Sequence, residues 1–234
     1  MRTKSIILSA IVGALSSVSL MAQVYSLNAV GYINVTLPPG FSMIANQLTT
    51  TNNNLSPLLD SQFLSGNFDG VAFFKYGSGH YTTLHVDSVS VLTPYIPWDE
   101  SAATNTTLNP GEAVFVNNPY STNLTLTFVG TVPTGSQWAT NDFVAGFNMA
   151  SSIVPQSGRL DVDLSLSEVD GDVVWIYNPA IHNYEQFSGD SVSLTGQPWD
   201  VVNSTNLNPT VTVGQGFFYQ AQAPTTWVRN FSVN

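Results

Sequence analysis

The stretch "DGVAFFKYGSGHYTTLHV", residues 69–86, decides the fold, because it reads as a complete β-hairpin and returns later in the chain. Two runs of mixed apolar and polar residues flank a central Gly-Ser-Gly, a pattern typical of antiparallel strands joined by a tight turn. Gly77 and Gly79 are expected to supply the positive φ angles of that turn. The arrangement recurs as "DGDVVWIYNPAIHNYEQF", residues 170–187, where Asn178 starts the turn instead.

Other short words recur in the same order, and the "PWD" word recurs at the same offset of 101 residues as the hairpin. The matched pairs are "GFSM" (40–43) with "GFNM" (146–149), "PWD" (97–99) with "PWD" (198–200), and "GEAVFV" (111–116) with "GQGFFY" (214–219). We therefore predict a mainly β protein of two tandem sandwich-like or barrel-like modules, residues 23–133 and 134–234.

The two copies differ in one expected element. In the first copy, residues 55–64 are predicted to form a short helix with Ser56 as cap and Pro57 at its first position. The second copy has "LDVDLSLSEV", residues 160–169, at this place, and its strict alternation predicts a strand.

The first 22 residues have the layout of a secretory signal peptide. Arg2 and Lys4 precede an apolar run from Ile6 to Leu20, and the small residue Ala22 follows before the polar Gln23. Cleavage after Ala22 is expected, and cleavage after Ser19 is the alternative. The run is shorter than the roughly 20 apolar residues of a membrane span, and serines interrupt it. We expect the mature chain to begin near Gln23 and to be secreted or displayed at the cell surface.

The predicted mature chain is acidic and sparsely charged. Only Lys75, Arg159 and Arg229 would remain against fifteen acidic residues, which gives a formal charge of about −12. Such a surface repels phosphate backbones and anionic lipids. We therefore expect no nucleic-acid partner and no membrane insertion after signal cleavage.

The chain contains no cysteine. Thiol catalysis, iron–sulfur clusters and cysteine-based zinc sites are thereby excluded. An exported domain without disulfides must hold itself together by its core, and about 212 residues suffice for one or two cores.

The words "VGYINVTLPPGFSMIANQL" (30–48), "DGVAFFKY" (69–76), "TLNPGEAVFV" (107–116) and "LTFVG" (126–130) resemble those of an uncharacterised family of bacterial exported β-repeat proteins. The resemblance spans most of the predicted mature chain. It implies an exported β-repeat architecture, and it supplies no activity, ligand or catalytic residue that could be carried over to this sequence.

One acidic cluster has the composition of a calcium site, because hard oxygen ligands suit that cation. The residues that could contribute are Asp161, Asp163, Glu168, Asp170 and Asp172. The spacing lacks the glycine and glutamate positions of an EF-hand loop. The alternative is an ordinary Asp-Gly turn, since Asp170-Gly171 has a counterpart in Asp69-Gly70. No other cofactor is predicted.

No catalytic residues are predicted. A single catalytic centre should use residues that differ between the copies, whereas Asp99 and Asp200 occupy the same place in both "PWD" words. No "GxSxG" nucleophile elbow is present. We therefore expect a protein that is not an enzyme.

Three loop aromatics are the functional lead from the sequence. Trp98, Trp199 and Tyr95 lie in proline-rich loops beyond the strands, where an exposed ring could stack on a sugar. A tryptophan at the same place in both copies could equally be a plug beneath the loop.

The leading hypothesis is an exported, non-enzymatic structural or adhesive β-repeat protein of the cell exterior. One alternative is a carbohydrate-binding module that uses the loop tryptophans to hold an extracellular polysaccharide. A further alternative is self-assembly, in which the N-terminal segment, residues 24–35, completes the sheet of another copy.

Overall fold

The architecture is mainly β, with 45 % strand and 7 % helix. The computed structural model describes residues 30–133, 139–167, 169–190, 198–229 and 231. Every strand pairing in these ranges is antiparallel, and none of their sheets closes into a barrel. The predicted fold class is confirmed, in a form consistent with a sandwich. Within the same ranges, no helix has the length and apolar character needed to cross a bilayer.

The first half builds one four-stranded sheet, in the order β2-β5-β3-β4, and one two-stranded ribbon, β1-β6. A 3-10 helix, Ser101–Thr104, accompanies them. The remaining elements are β1 (Val30–Leu37), β2 (Gly40–Ile44), helix α1 (Leu55–Phe63), β3 (Ala72–Gly77), β4 (His80–His85), β5 (Val114–Asn118) and β6 (Leu124–Thr131).

The second half builds a five-stranded sheet, in the order β8-β14-β10-β11-β12, and two short ribbons, β7-β15 and β9-β13. Its strands are β7 (Ala139–Phe143), β8 (Gly146–Ala150), β9 (Gly158–Arg159), β10 (Val173–Asn178), β11 (Asn183–Gly189), β12 (Trp199–Val202), β13 (Thr210–Val211), β14 (Phe217–Ala221) and β15 (Thr225–Arg229). Four neighbouring strands of this sheet, β8-β14-β10-β11, follow the order β2-β5-β3-β4 of the first sheet. The origin of the two halves from one repeated module stays a prediction.

Both predicted hairpins are present. In the first, Gly77 pairs with His80, and the two residues between them, Ser78 and Gly79, have φ of 51° and 82°. Positive φ at both central residues is the geometry of a type I′ turn. The expectation of positive φ at Gly77 is therefore corrected to Ser78. In the second hairpin, the Asn178 side chain accepts a hydrogen bond from the Ala180 amide at 3.0 Å, as expected for a turn start.

Each large sheet covers its own hydrophobic core on one face. The first core includes Phe63, Phe73 and Trp98, and the second includes Phe187, Phe217 and Trp227. Each large apolar side chain buried in this way contributes about 1.5–3 kcal/mol to stability. The two cores position the sheets without disulfides.

Helix α1 closes the first core but begins earlier than predicted. Its N-cap is Asn54, and its buried residues Leu55, Leu59 and Phe63 recur every four positions. Ser56 lies inside the first turn, where its hydroxyl donates to the Asp60 carboxylate at 2.7 Å. The prediction of Ser56 as cap is therefore wrong.

The strand predicted over residues 160–169 is also wrong for the described residues 160–167, which form turns and bends. The Leu166 amide donates to the Leu160 carbonyl at 2.7 Å, so the chain bonds locally and makes no strand ladder there. Leu160, Leu164 and Leu166 are all buried in the second core. The alternating leucines thus anchor a loop.

Half of the N-terminal segment predicted to allow self-assembly pairs within its own chain. Residues 30–35 belong to β1 and pair with β6, from Val30 opposite Thr131 to Val35 opposite Leu126. Only residues 24–29 of the segment remain, and they lie outside the described residues.

The two halves interlock through matched backbone contacts. The Ala45 amide donates to the Gly214 carbonyl at 2.9 Å, and the Ser151 amide donates to the Gly111 carbonyl at 2.9 Å. Each half thus binds the glycine turn of the other. This contact brings the outer faces of the two large sheets together.

Candidate ligand-binding cleft

The two loop tryptophans are buried. Trp98 is 0 % exposed and Trp199 is 2 % exposed. The Trp98 indole donates to the Asp60 carboxylate at 2.7 Å, and its ring lies 5.1 Å from Phe63. A buried indole cannot stack on a sugar, so the predicted ligand-binding role of Trp98 and Trp199 is wrong, and the plug alternative describes both.

The Trp199 indole donates to the Asp161 carboxylate at 3.1 Å, the counterpart of the Trp98–Asp60 contact. Tyr95, the third loop aromatic, remains 49 % exposed, and its hydroxyl donates to the Ser88 carbonyl at 2.7 Å. It stands apart from the buried pair.

The two carboxylates beneath the tryptophans differ in their ionisation. Burial raises the pKa of Asp60, although hydrogen bonds from Ser56 and Trp98 oppose this shift. Burial also acts on Asp161, but hydrogen bonds from Arg159 and Trp199 outweigh it and lower the pKa of that carboxyl. The guanidinium of Arg159 is the difference between the two sites.

Among the described residues, the aspartates predicted to bind calcium are engaged with donors of the protein itself. Asp161 accepts two hydrogen bonds from the Arg159 guanidinium, at 2.7 and 3.1 Å, whereas Asp163 accepts from the Arg159 amide at 2.9 Å. Asp172 is buried and accepts hydrogen bonds from the Tyr219 hydroxyl and the Gln222 amide. Protein donors thus occupy these carboxylates.

The other two predicted calcium ligands are Glu168 and Asp170. Glu168 lies outside the described residues, and Asp170 belongs to an Asp-Gly turn like that of Asp69-Gly70. In the described parts of the chain, no three His, Asp or Glu side chains are grouped to hold a metal ion. Calcium binding stays a prediction without a described set of ligands.

An open aromatic surface lies where the two large sheets meet. Along β3, Phe73 points into the first core, so Phe74 and Tyr76 point to the opposite face. Along β10, Val174 and Ile176 point into the second core, so Trp175 also points away from it. Its place in a strand after Val173 and Val174 predicts Trp175 to be a core residue. This prediction is wrong, because the ring is partly exposed between the sheets.

These faces form a continuous groove, here called the aromatic cleft, which consists of two adjoining pockets. The first pocket, of about 330 Å³, is lined by Tyr76, Tyr81, Phe147, Trp175, Tyr184 and Phe218. The second pocket, of about 360 Å³, is lined by Phe41, Phe74, Tyr81, Phe115, Tyr177 and Tyr184. Both pockets fall within the size range of small-molecule sites.

The two pockets are counterparts under the predicted sequence correspondence, and they share Tyr81 and Tyr184. The ring contacts are matched as well. Tyr76 lies 5.2 Å from Tyr81, and Tyr177 lies 5.4 Å from Tyr184. The other matched pairs are Phe41 with Phe147, Phe74 with Trp175, and Phe115 with Phe218.

The floor of the cleft is built by Phe115 and Phe218, which are each 7 % exposed and lie 6.0 Å apart. Beside them, Ala113 and Gly216 meet so closely that a Cβ atom on Gly216 would lie 2.4 Å from that of Ala113. The rim is accessible, since Phe41, Tyr81 and Phe147 are between 43 and 47 % exposed.

Two of the cleft tyrosines, Tyr81 and Tyr184, have raised pKa values and keep their hydroxyl protons at neutral pH. Burial, together with the neighbouring Tyr81 and Tyr177, raises the pKa of Tyr184 to about 12. Burial and Tyr76 also raise the pKa of Tyr81. The cleft therefore offers ring faces and neutral hydrogen-bond donors, and every side chain that lines the two pockets is aromatic.

Next to the cleft, Lys75 forms an ion pair with Glu112 at 3.0 Å that has no equivalent in the second half, where Ile176 replaces Lys75. Burial lowers the pKa of Lys75. Burial alone would raise the pKa of Glu112, but the charge of Lys75 and the hydrogen bonds from Lys75, Asn109 and Thr107 together lower it. Glu112 also accepts hydrogen bonds from the Thr107 hydroxyl and the Asn109 amide. The pair braces the turn before β5.

The sequence carried a signal for the cleft. Phe74 and Tyr76, like Trp175 and Tyr177, alternate with core residues along their strands, which places aromatic side chains on both faces of each sheet. Alternation alone does not show which face remains open to solvent.

Comparison with known proteins adds no functional assignment. No family model matches the chain, and no match was found among curated proteins or solved structures.

Proposed function

We propose that this protein is an exported, non-enzymatic adhesive protein of the cell exterior, and that it holds an extracellular ligand in its aromatic cleft. The observation that carries the proposal is the cleft itself, in which ten aromatic side chains line two adjoining pockets open to solvent. A concave pocket lined mainly by aromatic and other apolar side chains is the usual form of a ligand-binding site.

The sequence supports export. The layout of residues 1–22 is that of a signal peptide, and a chain without cysteine depends on no disulfide for its folding outside the cell. The resemblance to bacterial exported β-repeat proteins points in the same direction.

The chemistry of the site supports binding without catalysis. The residues that line the cleft include no carboxylate, histidine, serine or lysine that could act as an acid, a base or a nucleophile. The nearest ion pair, Lys75 with Glu112, is engaged with its own turn.

The experiment is adsorption of the purified protein to insoluble extracellular polymers, measured as the fraction depleted from solution. The Tyr81→Ala, Tyr184→Ala double variant removes the two rings that both pockets share, and we expect it to lose at least about tenfold in affinity. Tyr32→Ala, which removes a 72 % exposed ring on β1 outside the cleft, is the matched control and should adsorb like the native protein. Equal adsorption of all three proteins would contradict the proposal.

A further inference from the structure

The lining of the aromatic cleft restricts the charge of its ligand. The two pockets are lined only by Phe, Tyr and Trp side chains, so an ionic ligand would lose its hydration without gaining a counter-charge. The predicted mature chain, with three basic and fifteen acidic residues, also repels anionic polymers. These two facts favour a neutral ligand.

The cleft also offers polar groups at defined places. Tyr76, Tyr81, Tyr177 and Tyr184 carry hydroxyls on otherwise apolar walls. Beyond them, the register places Thr83 opposite Phe74 on the cleft face of the first sheet and Gln186 opposite Trp175 on that of the second. A sugar ring has the matching character, since its C–H faces are apolar and its edge carries hydroxyls.

The arrangement of the pockets indicates a ligand with a repeating structure. The two pockets contain matched rings and meet at Tyr81 and Tyr184, so similar chemical groups can bind on either side of this pair. A polymer presents the same unit repeatedly and can fill both pockets with one chain. Binding of the second unit is then intramolecular and strengthens the first.

We infer that the aromatic cleft binds a neutral, unbranched polysaccharide whose chain passes through both pockets, with Tyr81 and Tyr184 between its bound units. This inference rests on the proposed function and names the ligand class of that same site.

The test is a titration of the purified protein with neutral oligosaccharides of increasing length from the cellulose, xylan, mannan and laminarin series. Trp175, the one tryptophan that lines either pocket, gives a fluorescence signal in addition to calorimetry. We expect affinity in one series to rise by about 10²-fold or more between the length that fills one pocket and the length that fills both. Polygalacturonate, an anionic chain, should bind more weakly than its neutral counterparts.

Two matched variants separate the pockets. Phe147→Ala alters only the first pocket and Phe41→Ala alters only the second. Each variant should remove the gain from chain length and change the affinity for the shortest ligand by only about twofold, because the other pocket remains. Tyr32→Ala should have no effect, and circular dichroism checks that each variant is folded.

The outcomes distinguish the inference from the proposed function. Two results would overturn the inference that one polysaccharide chain occupies both pockets: equal affinity for short and long chains, or a loss of affinity in only one of the two phenylalanine variants. Neither result would affect the proposed adsorption through the cleft. Binding of an apolar or cationic peptide in the cleft, with no binding of any neutral oligosaccharide, would overturn the ligand class. Adsorption that survives loss of Tyr81 and Tyr184 would overturn the proposed function itself.

Discussion

At the scale of single residues, the same hydrogen bond, from a buried tryptophan to an aspartate, occurs in two different electrostatic environments. Trp98 and Trp199 both donate to an aspartate, but only Asp161 also has a guanidinium partner, Arg159. The pKa of Asp60 is therefore raised, mainly by burial, whereas the pKa of Asp161 is lowered by its hydrogen bonds. Opposite shifts predict opposite pH dependences of stability.

The Asp60→Asn variant tests this directly. A raised folded-state pKa means that Asp60 stabilises the native protein most in acid, and that this stability is lost as pH rises through the folded pKa. Asparagine keeps an oxygen acceptor for Trp98 and does not titrate. The free energy of unfolding of the variant, relative to the native protein, should therefore increase between about pH 3 and about pH 7. Because Asp60 is partly exposed, the change should stay below about 1 kcal/mol.

Asp161→Asn is the matched control, measured by urea unfolding at the same pH values. The lowered pKa of Asp161 means that its stabilisation is present above the unfolded pKa and lost in acid. The relative stability of this variant should therefore decrease as pH rises. Slopes of the same sign for the two variants would contradict the assignment.

At the scale of elements, the hairpins were predictable and the loops were not. The Gly-Ser-Gly word and the alternating residues on either side specify β3 and β4 locally, because turn chemistry and strand register are short-range properties. Leu160, Leu164 and Leu166 lie in an equally regular alternating pattern, yet they belong to turns. Their side chains are buried in the second core, and this burial fixes the loop without a strand partner. Local pattern therefore predicts an element only where its backbone partner is also local.

The limited range of local sequence patterns also explains why the aromatic cleft was not predicted. The "PWD" words marked Trp98 and Trp199 as special, but only the folding of each loop over its aspartate shows that the rings are buried. The cleft aromatics, such as Phe115 and Phe218, meet across sheets whose strands lie far apart in sequence. Which face of a sheet stays open depends on how the two halves dock, and strand periodicity carries no information on that.

The turn of the first hairpin gives a prediction at this scale. Ser78 adopts φ of 51°, a conformation that asparagine tolerates better than serine, so Ser78→Asn should stabilise the protein by about 0.5 kcal/mol. Gly79→Ala should cost about 1–2 kcal/mol, because alanine is strained at φ of 82°. No atom lies within 4 Å of a Cβ placed on Gly79, so crowding does not confuse the result. Urea midpoints measure both effects, and a neutral Gly79→Ala would argue against the type I′ turn.

At the scale of the whole molecule, the aromatic cleft exists because the two halves dock in one defined way. The matched contacts of Ala45 with Gly214 and of Ser151 with Gly111 fix the distance between the sheets. At the centre of this contact, Ala113 and Gly216 occupy corresponding positions just before β5 and β14. There is space for one methyl group between them and not for two.

Exchange of these two residues tests whether the docking of the two halves determines the width of the aromatic cleft. Gly216→Ala places a Cβ 2.4 Å from that of Ala113 and should cost about 1–3 kcal/mol of unfolding free energy. In the double variant Ala113→Gly, Gly216→Ala the methyl group has changed sides, and the closest remaining contacts of the new Cβ, with Ile44 and Met43, are 3.2 Å. The double variant should therefore be more stable than Gly216→Ala alone, with a coupling free energy of about 0.5–3 kcal/mol.

Differential scanning calorimetry measures these effects, and both the number of unfolding transitions and their midpoint temperatures are informative. If the halves depend on each other, each protein should unfold in one transition, and Gly216→Ala should shift that transition as a whole. Cleft-dependent adsorption should fall with Gly216→Ala and recover in the double variant, because Phe115 and Phe218 lie directly beside the exchanged pair. Simple additivity of the two single substitutions would mean that the contact between Ala113 and Gly216 does not set how the halves dock, and the cleft would then owe its width to the strands alone.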